Sequence, residues 1–279
     1  IVVAGGAEAV STAPWRVTKP RTVYQTPRFE NEHAAYDQTG DTGSQIAAAE
    51  RLAAELQLSR DALDGYALRS HIKAYLAHEA KRSIGEIVGL RVAAEETRDE
   101  SLDGDLTMDD LSDIAPFVDG GRLTPGNCSM PHDGAAFVVL VAEKIWHDLG
   151  RVPALRLMAS AACAVAPDRE TIAPVDVLNK LGPRVNGSGL RDFGVFEMGE
   201  SSAVQAIAVR DQLGIEDDLL NPDGGAIARG MPVGASSAVS VTRLFTRMVR
   251  ARTKDSSRRG IAVQGCKGGL AVAAAFEAV

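Results

Sequence analysis

Apolar residues follow two alternating patterns along the C-terminal part of the chain. Runs rich in apolar residues, such as "FVVLV", "ALRLMASAACAVA" and "LAVAAAFEAV", predict strands. Between them lie stretches such as "SSAVQAIAVRDQLG" that predict helices. Because strands alternate with helices from about residue 120 to Val279, the pattern indicates a layered α/β domain.

The N-terminal part of the chain is patterned less regularly. "IVVAGGAEAV" predicts a buried strand that ends in a turn at Gly5 and Gly6. Residues 11–42 show no period and contain Pro, Thr and Gly, which predicts a long irregular segment of the kind that binds ligands. "GSQIAAAERLAAELQL" predicts a helix, and Ser59 is placed to cap a second one. Four residues share one face of that second helix: Leu63, Tyr66, Ala67 and Ala74.

The first strand raises the question of what lies beside it. A buried strand needs a neighbour on each side, and the sequence begins with Ile1 rather than with Met. We therefore expect Ile1 to Ala4 to form an interior strand of a longer protein.

Composition and charge narrow the functional classes. The 279 residues are 45% hydrophobic and 24% charged, which is typical of a globular protein with one large or two moderate domains. A net charge of −7 argues against nucleic acid as a partner, since phosphate binding requires a basic face. Three scattered cysteines fit a reducing compartment better than a disulfide framework. With no signal-peptide pattern and no apolar run of membrane-spanning length, the sequence predicts a cytoplasmic protein without a membrane segment.

Residues 221–236, "NPDGGAIARGMPVGAS", form a glycine-rich segment before a predicted helix. Such glycine density indicates positive φ angles or a close approach to the backbone. The segment lacks the Gly-Lys-Ser/Thr of a P-loop, and it does not follow a strand at the start of a βαβ unit, as a dinucleotide fingerprint would. Two interpretations stay open, a turn that starts a helix and a cradle of N–H groups for an anion.

Two segments contain cysteines near other reactive groups. Cys266 lies between glycines at a strand-to-strand turn, where it is either structural or a thiolate or proton shuttle. Cys128, His132 and Asp133 follow Asn127 closely before a strand and invite a catalytic-triad interpretation. Asn and Asp are also ordinary turn residues there, and the spacing favours a turn over a triad.

Glu200, Ser201 and Ser202 lie at a predicted strand-to-helix junction. Ser and Glu at such a junction usually cap the helix or place a negative charge in its first turn. Elsewhere in the sequence, no Cys and His pair has the spacing of zinc ligands, so we expect no metal.

The order of these segments resembles the thiolase family over essentially the whole chain. "VVAGGAEAVSTAPW" is similar to the strand and turn that enter the thiolase loop domain, and "LTPGNCSMPHDGAAFVVLVAE" is similar to the return into the core. "GGAIARGMPVGASSA" resembles the active-site loop, and "GCKGGLAVAAAFE" resembles the terminal hairpin. The resemblance implies a layered α-β-α-β-α fold, and we expect the alternation from Ala135 to Val279 to form a mixed five-stranded sheet.

A domain organisation follows from the same resemblance. Residues 1–13 and 119–150 would complete the N-terminal thiolase half, and residues 151–279 would form the C-terminal half. Residues 14–118 would form an α-rich loop domain that binds coenzyme A. In the family, the nucleophilic cysteine lies on a turn of the N-terminal half, which we expect upstream of Ile1.

Four positions match catalytic positions of the thiolase motifs. Cys266 matches the acid–base cysteine, and Gly268 matches the backbone donor of one oxyanion hole. Gly199 stands where the family has the Asn of Asn-Glu-Ala-Phe, and Met231 stands where it has the His of Gly-His-Pro. In the family that Asn, through a water, and that His bind the thioester oxyanion during carbon–carbon bond formation. Neither Gly nor Met can donate such a hydrogen bond, and the loss of one donor typically lowers the rate about 100- to 1000-fold.

The resemblance implies an acyltransferase of the acetyl-CoA C-acyltransferase type, which acts by thiolysis or Claisen condensation and whose condensation is weakened here. In a working enzyme, Ser201, Ser202, His132 or a bound water would replace the lost groups. The alternative is a non-catalytic or partner-dependent subunit that binds acyl-CoA, or a carbon–carbon lyase on the same fold. A Cys-x-Ser turn upstream would favour the transferase.

Ligands and partners follow from the same resemblance. Coenzyme A is expected as a substrate and not as a resident cofactor, with contacts at Ser129, Ala235, Ser236 and Arg16. We expect a homodimer or homotetramer, with an accessory subunit as a further partner. Neither nucleic acid nor a membrane is expected to bind.

Overall fold

A computed structural model describes most of the chain. The described residues are 1–14, 17–26, 28–29, 45–83, 85–89, 91–92, 95–96, 101–187, 189–251 and 257–279.

The main sheet has four strands and is mixed, which confirms the expected α/β fold with a mixed sheet. Its strands are β7 (Leu155–Ala164), β8 (Val195–Gly199), β9 (Arg259–Cys266) and β10 (Leu270–Ala278), in the spatial order β7-β10-β9-β8. Strand β10 runs antiparallel to both of its neighbours, whereas β8 and β9 run parallel. All five residues of β8 are buried, Glu197 among them.

A fifth position in this sheet is filled by a segment too short to form a regular strand. Phe196 donates its N–H to the Leu219 carbonyl at 2.8 Å and accepts the Asn221 N–H at 2.8 Å, in a parallel bridge beyond β8. The pairing stops there because Asn221 takes a positive φ of 42° and Pro222 follows it. The strand beginning near Ala135, which we expected in this sheet, lies in a different one.

The second sheet pairs the start of the chain with that strand. Strand β1 (Val2–Glu8) runs antiparallel to β6 (Gly134–Leu140) along its whole length. Residues 1–4 are therefore not a free terminus, because Val2 to Ala4 are the first residues of a paired strand. Among the described residues, β1 has a partner on one edge only. Val3 and Val139 are 65% and 66% exposed, so this sheet presents apolar surface.

The turn predicted at Gly5 and Gly6 is wrong, because both glycines continue strand β1. A Cβ on Gly6 would lie 1.9 Å from the Gly234 carbonyl oxygen. The glycine therefore permits a close backbone approach to the 221–236 segment, a use of glycine that sequence alone does not separate from a turn.

Eight α-helices surround the sheets in the described part of the chain. Their bounds are α1 Gln45–Glu55, α2 Arg60–Glu79, α3 Met108–Ser112, α4 Glu143–Asp148, α5 Ala173–Leu181, α6 Ala203–Leu213, α7 Ala226–Arg229 and α8 Ser236–Phe245. The smaller elements are the pairs β2 (Val17–Thr18) with β3 (Arg28–Phe29) and β4 (Arg91–Val92) with β5 (Glu95–Glu96), the 3₁₀ turns Val10–Thr12, Pro167–Ile172, Gly182–Arg184 and Gly189–Asp192, and the π-helical turn Thr246–Arg250.

The predicted helix starts at Ser59 and Ser202 are confirmed by their capping hydrogen bonds. Ser59 accepts the Ala62 N–H with its side chain, and Ser202 accepts the Gln205 N–H in the same way. Gly214 ends α6 in the left-handed conformation, with φ 61°.

Helices fill the space on and between the two sheets. Helix α5 packs on β7 and β10, and α8 contacts β8 and β9 as well as β1 and β6, so α8 forms a layer between the sheets. Helix α6 is buried from Ala203 to Val209, and its apolar core is continuous with α1 and α2. Within the described ranges, no helix is long and apolar enough to cross a membrane.

Candidate active site

The glycine-rich segment 221–236 wraps around the end of β8 and leads into α8. It contains the short helix α7 and has positive φ angles at Gly224 (80°) and Gly230 (78°). A Cβ on Gly230 would lie 2.2 Å from the imidazole ring of His132, so this position requires glycine both for space and for backbone conformation.

Met231 is held against residues 129–132 by its backbone and its side chain. Its N–H donates to the Met130 carbonyl at 2.9 Å, and its carbonyl accepts the His132 N–H at 3.3 Å. The Met231 Sδ lies 3.8 Å from Ser129 Oγ, which also donates to the Ser201 carbonyl at 3.2 Å. The structure therefore brings Ser129, Ser201 and Met231 together, as expected for parts of one site.

Gly199 lies at the C-terminal end of β8, and a neighbouring side chain fills the space beside it. Gly199 pairs with Gln264 on β9. A Cβ on Gly199 would lie 1.9 Å from Gln264 Oε1 and 2.4 Å from Nε2, so the carboxamide of Gln264 takes the space of a side chain at position 199. Gln264 Nε2 donates to the Gly265 carbonyl at 3.1 Å, while Oε1 is buried without a hydrogen-bond partner among the described residues. The sequence motifs did not single out Gln264.

Cys266 and Gly268 lie at the turn between β9 and β10. The pairing of Gly199 with Gln264 places Cys266, two residues further along β9, at the same end of the sheet as Gly199. Cys266 is exposed, although partial burial of its thiol raises its pKa. The Gly268 N–H, with φ 85° at that residue, donates to Glu170 Oε2 at 2.6 Å.

A cavity of about 50 Å³ lies beneath the glycine-rich segment. Its lining includes Glu197, Gly199, Gly225, Gly230, Pro232 and Ser236. The cavity thus connects the end of β8 with the residues on both sides of Met231. The buried Glu197 accepts a hydrogen bond from Arg243 Nε at 3.0 Å, and its Oε1 has no partner in the described part of the chain. Burial raises the pKa of Glu197, and the Arg243 guanidinium opposes that rise.

Glu200 is fully buried and ties the loop region to the site. Four groups donate to its carboxylate: Tyr66 Oη at 2.7 Å, Ser70 Oγ at 3.0 Å, Ile227 N–H at 3.1 Å and Asn221 Nδ2 at 3.2 Å. Burial raises the pKa of Glu200, while these hydrogen bonds stabilise its charged form. The helix-start interpretation is therefore right for Ser202 and wrong for Glu200, which lies outside α6 and connects α2 with the glycine-rich segment.

The triad interpretation of residues 127–133 is wrong, because these side chains bind separate partners. Cys128 is buried, which raises the pKa of its thiol to about 12. Asn127 Nδ2 donates to Asp64 Oδ1 at 2.8 Å. His132 contacts Ser101 Oγ and the Met130 carbonyl through its two ring nitrogens, whereas Asp133 accepts hydrogen bonds from Ser11.

The expected coenzyme A contacts have different degrees of exposure. Ala235 is 1% and Ser236 7% exposed, and Ser236 Oγ donates to the Pro232 carbonyl at 2.8 Å. Ser129 is partly exposed. Arg16 lies outside the described residues.

Comparison with known protein families gives two matches that together span most of the chain. The model of the thiolase N-terminal domain matches residues 1–144, and the model of the thiolase C-terminal domain matches residues 152–278. The chain belongs to the thiolase family. At the level of that family it is an acyltransferase-type protein of acyl-CoA chemistry.

Named relatives and solved structures agree with the family. "Putative acetyl-CoA C-acetyltransferase VraB" of Staphylococcus epidermidis is 35% identical over 280 residues, which cover 99% of this chain and 71% of the relative. The protein of the same name from Staphylococcus aureus is 33% identical over 281 residues, with the same coverage of both chains.

Two solved structures share the fold over 99% of this chain and 71% of their own. The crystal structure of the Bacillus anthracis acetyl-CoA acetyltransferase superposes with a TM-score of 0.86 at 28% identity. The human mitochondrial 3-ketoacyl-CoA thiolase superposes with a TM-score of 0.90 at 25% identity. A crystal structure of the human enzyme in complex with CoA superposes equally well over 70% of that chain.

Proposed function

We propose that this protein transfers acyl groups from acyl-CoA thioesters and condenses them poorly. The proposal rests on the side chains that lie at and beside one end of the main sheet. The spaces of the two family oxyanion-hole side chains are taken by the Met231 thioether and the Gln264 carboxamide. The Cys266 thiol, at the same end, remains exposed.

Condensation requires an enolate, and the charge on its thioester oxygen needs hydrogen-bond donors. Met231 has no donor in its side chain, and Gly199 has no side chain. The Gln264 carboxamide fills the space beside Gly199, but its Nε2 already donates to the Gly265 carbonyl. With the two family donors absent, at about 3 kcal/mol each and not strictly additive, condensation should be slower by several orders of magnitude.

Acyl transfer makes a different demand on the site. A nucleophile adds to the thioester carbonyl, its oxygen becomes an oxyanion, and coenzyme A leaves as the thiol with the proton of the nucleophile. The backbone N–H of Gly268 does not depend on side chains 199 and 231, so it can serve this step. Cys266 would act as the acid–base group at the acyl α-carbon only in condensation, and its raised pKa keeps the thiol protonated at neutral pH.

The proposal places coenzyme A along the glycine-rich segment. Its pantetheine arm would pass Ser129, Ala235 and Ser236, and its phosphates would lie near the loop region, where Lys19 and Arg21 are exposed and where Arg16 is also expected to contribute. Support comes from the solved complex of the human mitochondrial 3-ketoacyl-CoA thiolase with CoA. Assembly as a homodimer or homotetramer, with or without an accessory subunit, is part of the same proposal.

Calorimetry with coenzyme A and with acetyl-CoA tests the binding part of the proposal. We expect saturable binding by the intact protein. Acyl transfer to an added thiol, followed by release of coenzyme A, then tests the chemical part. Absence of coenzyme A binding would remove the proposed function altogether.

One observation favours the second candidate, an acyl-CoA-binding subunit without catalysis. The Gly268 N–H, on which acyl transfer would rely, is hydrogen-bonded to Glu170. Acyl-transfer measurements on the original protein separate the two candidates. Coenzyme A binding together with no acyl transfer would establish the binding subunit.

A further inference from the structure

The carboxylate of Glu170 lies against the backbone amide that the proposed acyl transfer would use. Glu170 belongs to the 3₁₀ turn Pro167–Ile172 and is 7% exposed. Its Oε2 accepts the Gly268 N–H at 2.6 Å. Hydrogen bonds to an ionised acceptor are shorter and about twice as strong as neutral ones.

The hairpin turn around this contact has the geometry of an anion site. Gly268 and Gly269 both have positive φ angles, of 85° and 86°, and the N–H groups of both stabilise the charged form of Glu170. Successive N–H groups in such a turn form a concave site for anions. In this protein the anion is a side chain of the same chain.

We propose that Glu170 is a positioning residue of the acyl-transfer site, which holds the Gly268 N–H until a thioester oxygen displaces it. In this arrangement ionised Glu170 slows acyl transfer. The inference rests on the proposed function, because it assumes that Gly268 donates to the thioester oxygen.

The physical reason is competition between two oxygens for one donor. An oxyanion at Gly268 would lie close to the Glu170 carboxylate, and two negative charges at that distance repel each other. A protonated Glu170 holds the N–H more weakly and carries no charge. Acyl transfer should therefore become faster when Glu170 is protonated.

Charges around the turn set the pH range of this effect. Burial raises the pKa of Glu170, and the Gly268 N–H and Lys267 oppose the rise without cancelling it. The charged or titratable groups on the elements packed around the turn are Lys267 and Cys266 at the tip of the hairpin, Glu50, Arg51 and Glu55 on α1, Asp176 and Lys180 on α5, Arg210 and Asp211 on α6, and Asp168 and Arg169 on the turn itself. As pH falls through the raised pKa of Glu170, kcat/KM should increase. Cys266 has a raised thiol pKa and titrates far above this range.

Kinetics of two matched variants test the proposal. We would measure kcat and KM for acyl transfer from acetyl-CoA between about pH 5 and 8 for the original protein, Glu170→Gln and Asp168→Asn. Glu170→Gln keeps an acceptor for the Gly268 N–H and removes the charge, so kcat/KM at pH 7 should rise about tenfold and lose its increase toward low pH. Asp168→Asn removes an exposed carboxylate of the same turn and should leave the profile unchanged.

A ¹⁵N-glycine NMR titration provides a readout that does not depend on the variants. In the original protein the chemical shift of the Gly268 amide proton should change with pH as Glu170 titrates. Saturating acetyl-CoA should abolish that pH dependence. The proposal would be overturned if the pH dependence of the Gly268 amide shift stayed unchanged with acetyl-CoA bound. It would also be overturned if the Glu170→Gln variant had an unchanged or lower kcat/KM and kept the pH profile of the original protein. These results leave the proposed function intact when calorimetry shows coenzyme A binding, whereas absent binding removes both.

Discussion

At the scale of single residues, two neighbouring positions of the site fit each other. The glycine at position 199 leaves space, and the Gln264 carboxamide from the next strand fills it. A buried Oε1 without a partner among the described residues is a costly feature unless another group compensates for it. We interpret Gly199 and Gln264 as a coupled pair, so that a change at one position should depend on the residue at the other.

We therefore predict that Gly199→Asn lowers stability by about 1 kcal/mol, because the new side chain must displace the Gln264 carboxamide. In the Gln264→Ala background the same change should cost little. A double-mutant cycle from urea unfolding should give a coupling of about 1 kcal/mol. Strictly additive effects would show that the two positions are independent.

A second prediction concerns Glu200, which joins α2 to the glycine-rich segment. Glu200→Ala should lower the free energy of unfolding by about 3 kcal/mol or more, because it leaves four buried donors without their acceptor. Glu216→Ala, at an exposed position, is the matched control and should change it by less than about 0.5 kcal/mol. Equal effects of the two variants in urea unfolding would refute the assigned role of Glu200.

At the scale of elements, the sequence predicted where helices and strands occur. It did not predict which strands pair with each other. Ser59, Ser202 and Gly214 mark helix ends through local hydrogen bonds and backbone conformation, which depend on few residues. The partner of the strand near Ala135 depends on a long-range pairing with β1 that no local pattern encodes. For the same reason, the sequence did not indicate that Gln264 and Glu170 belong to the site. Each contacts a residue distant in sequence, and neither belongs to a motif.

Gly6 of β1 provides a prediction at this scale. Gly6→Ala should destabilise the protein and displace the glycine-rich segment, because its Cβ would lie 1.9 Å from the Gly234 carbonyl oxygen. Gly65→Ala, inside α2, meets only the end of the Arg69 side chain at 3.8 Å and should stabilise the protein by about 0.5–1 kcal/mol. Thermal unfolding of both variants measures this difference, and a stabilising Gly6→Ala would contradict the close approach.

At the scale of the whole molecule, two sheets with α8 between them hold the proposed site at the end of the main sheet. The family and the mixed α/β fold are established. The division into residues 1–13 with 119–150, residues 14–118 and residues 151–279 stays a prediction, as do the cytoplasmic location and the oligomeric state. Light scattering would determine the number of subunits.

The ratio of condensation to acyl transfer, measured on the intact protein with acetyl-CoA, tests the account most directly. In the proposed function, Met231 and Gly199 stand in place of the family's two donor side chains, so we predict acyl transfer to a thiol with condensation slower by several orders of magnitude. The combined variant Met231→His, Gly199→Asn, Gln264→Ala should raise condensation specifically, and a further Cys266→Ala should abolish it. If the unmodified protein condenses acetyl-CoA as fast as it transfers the acyl group, the account of its active site is wrong.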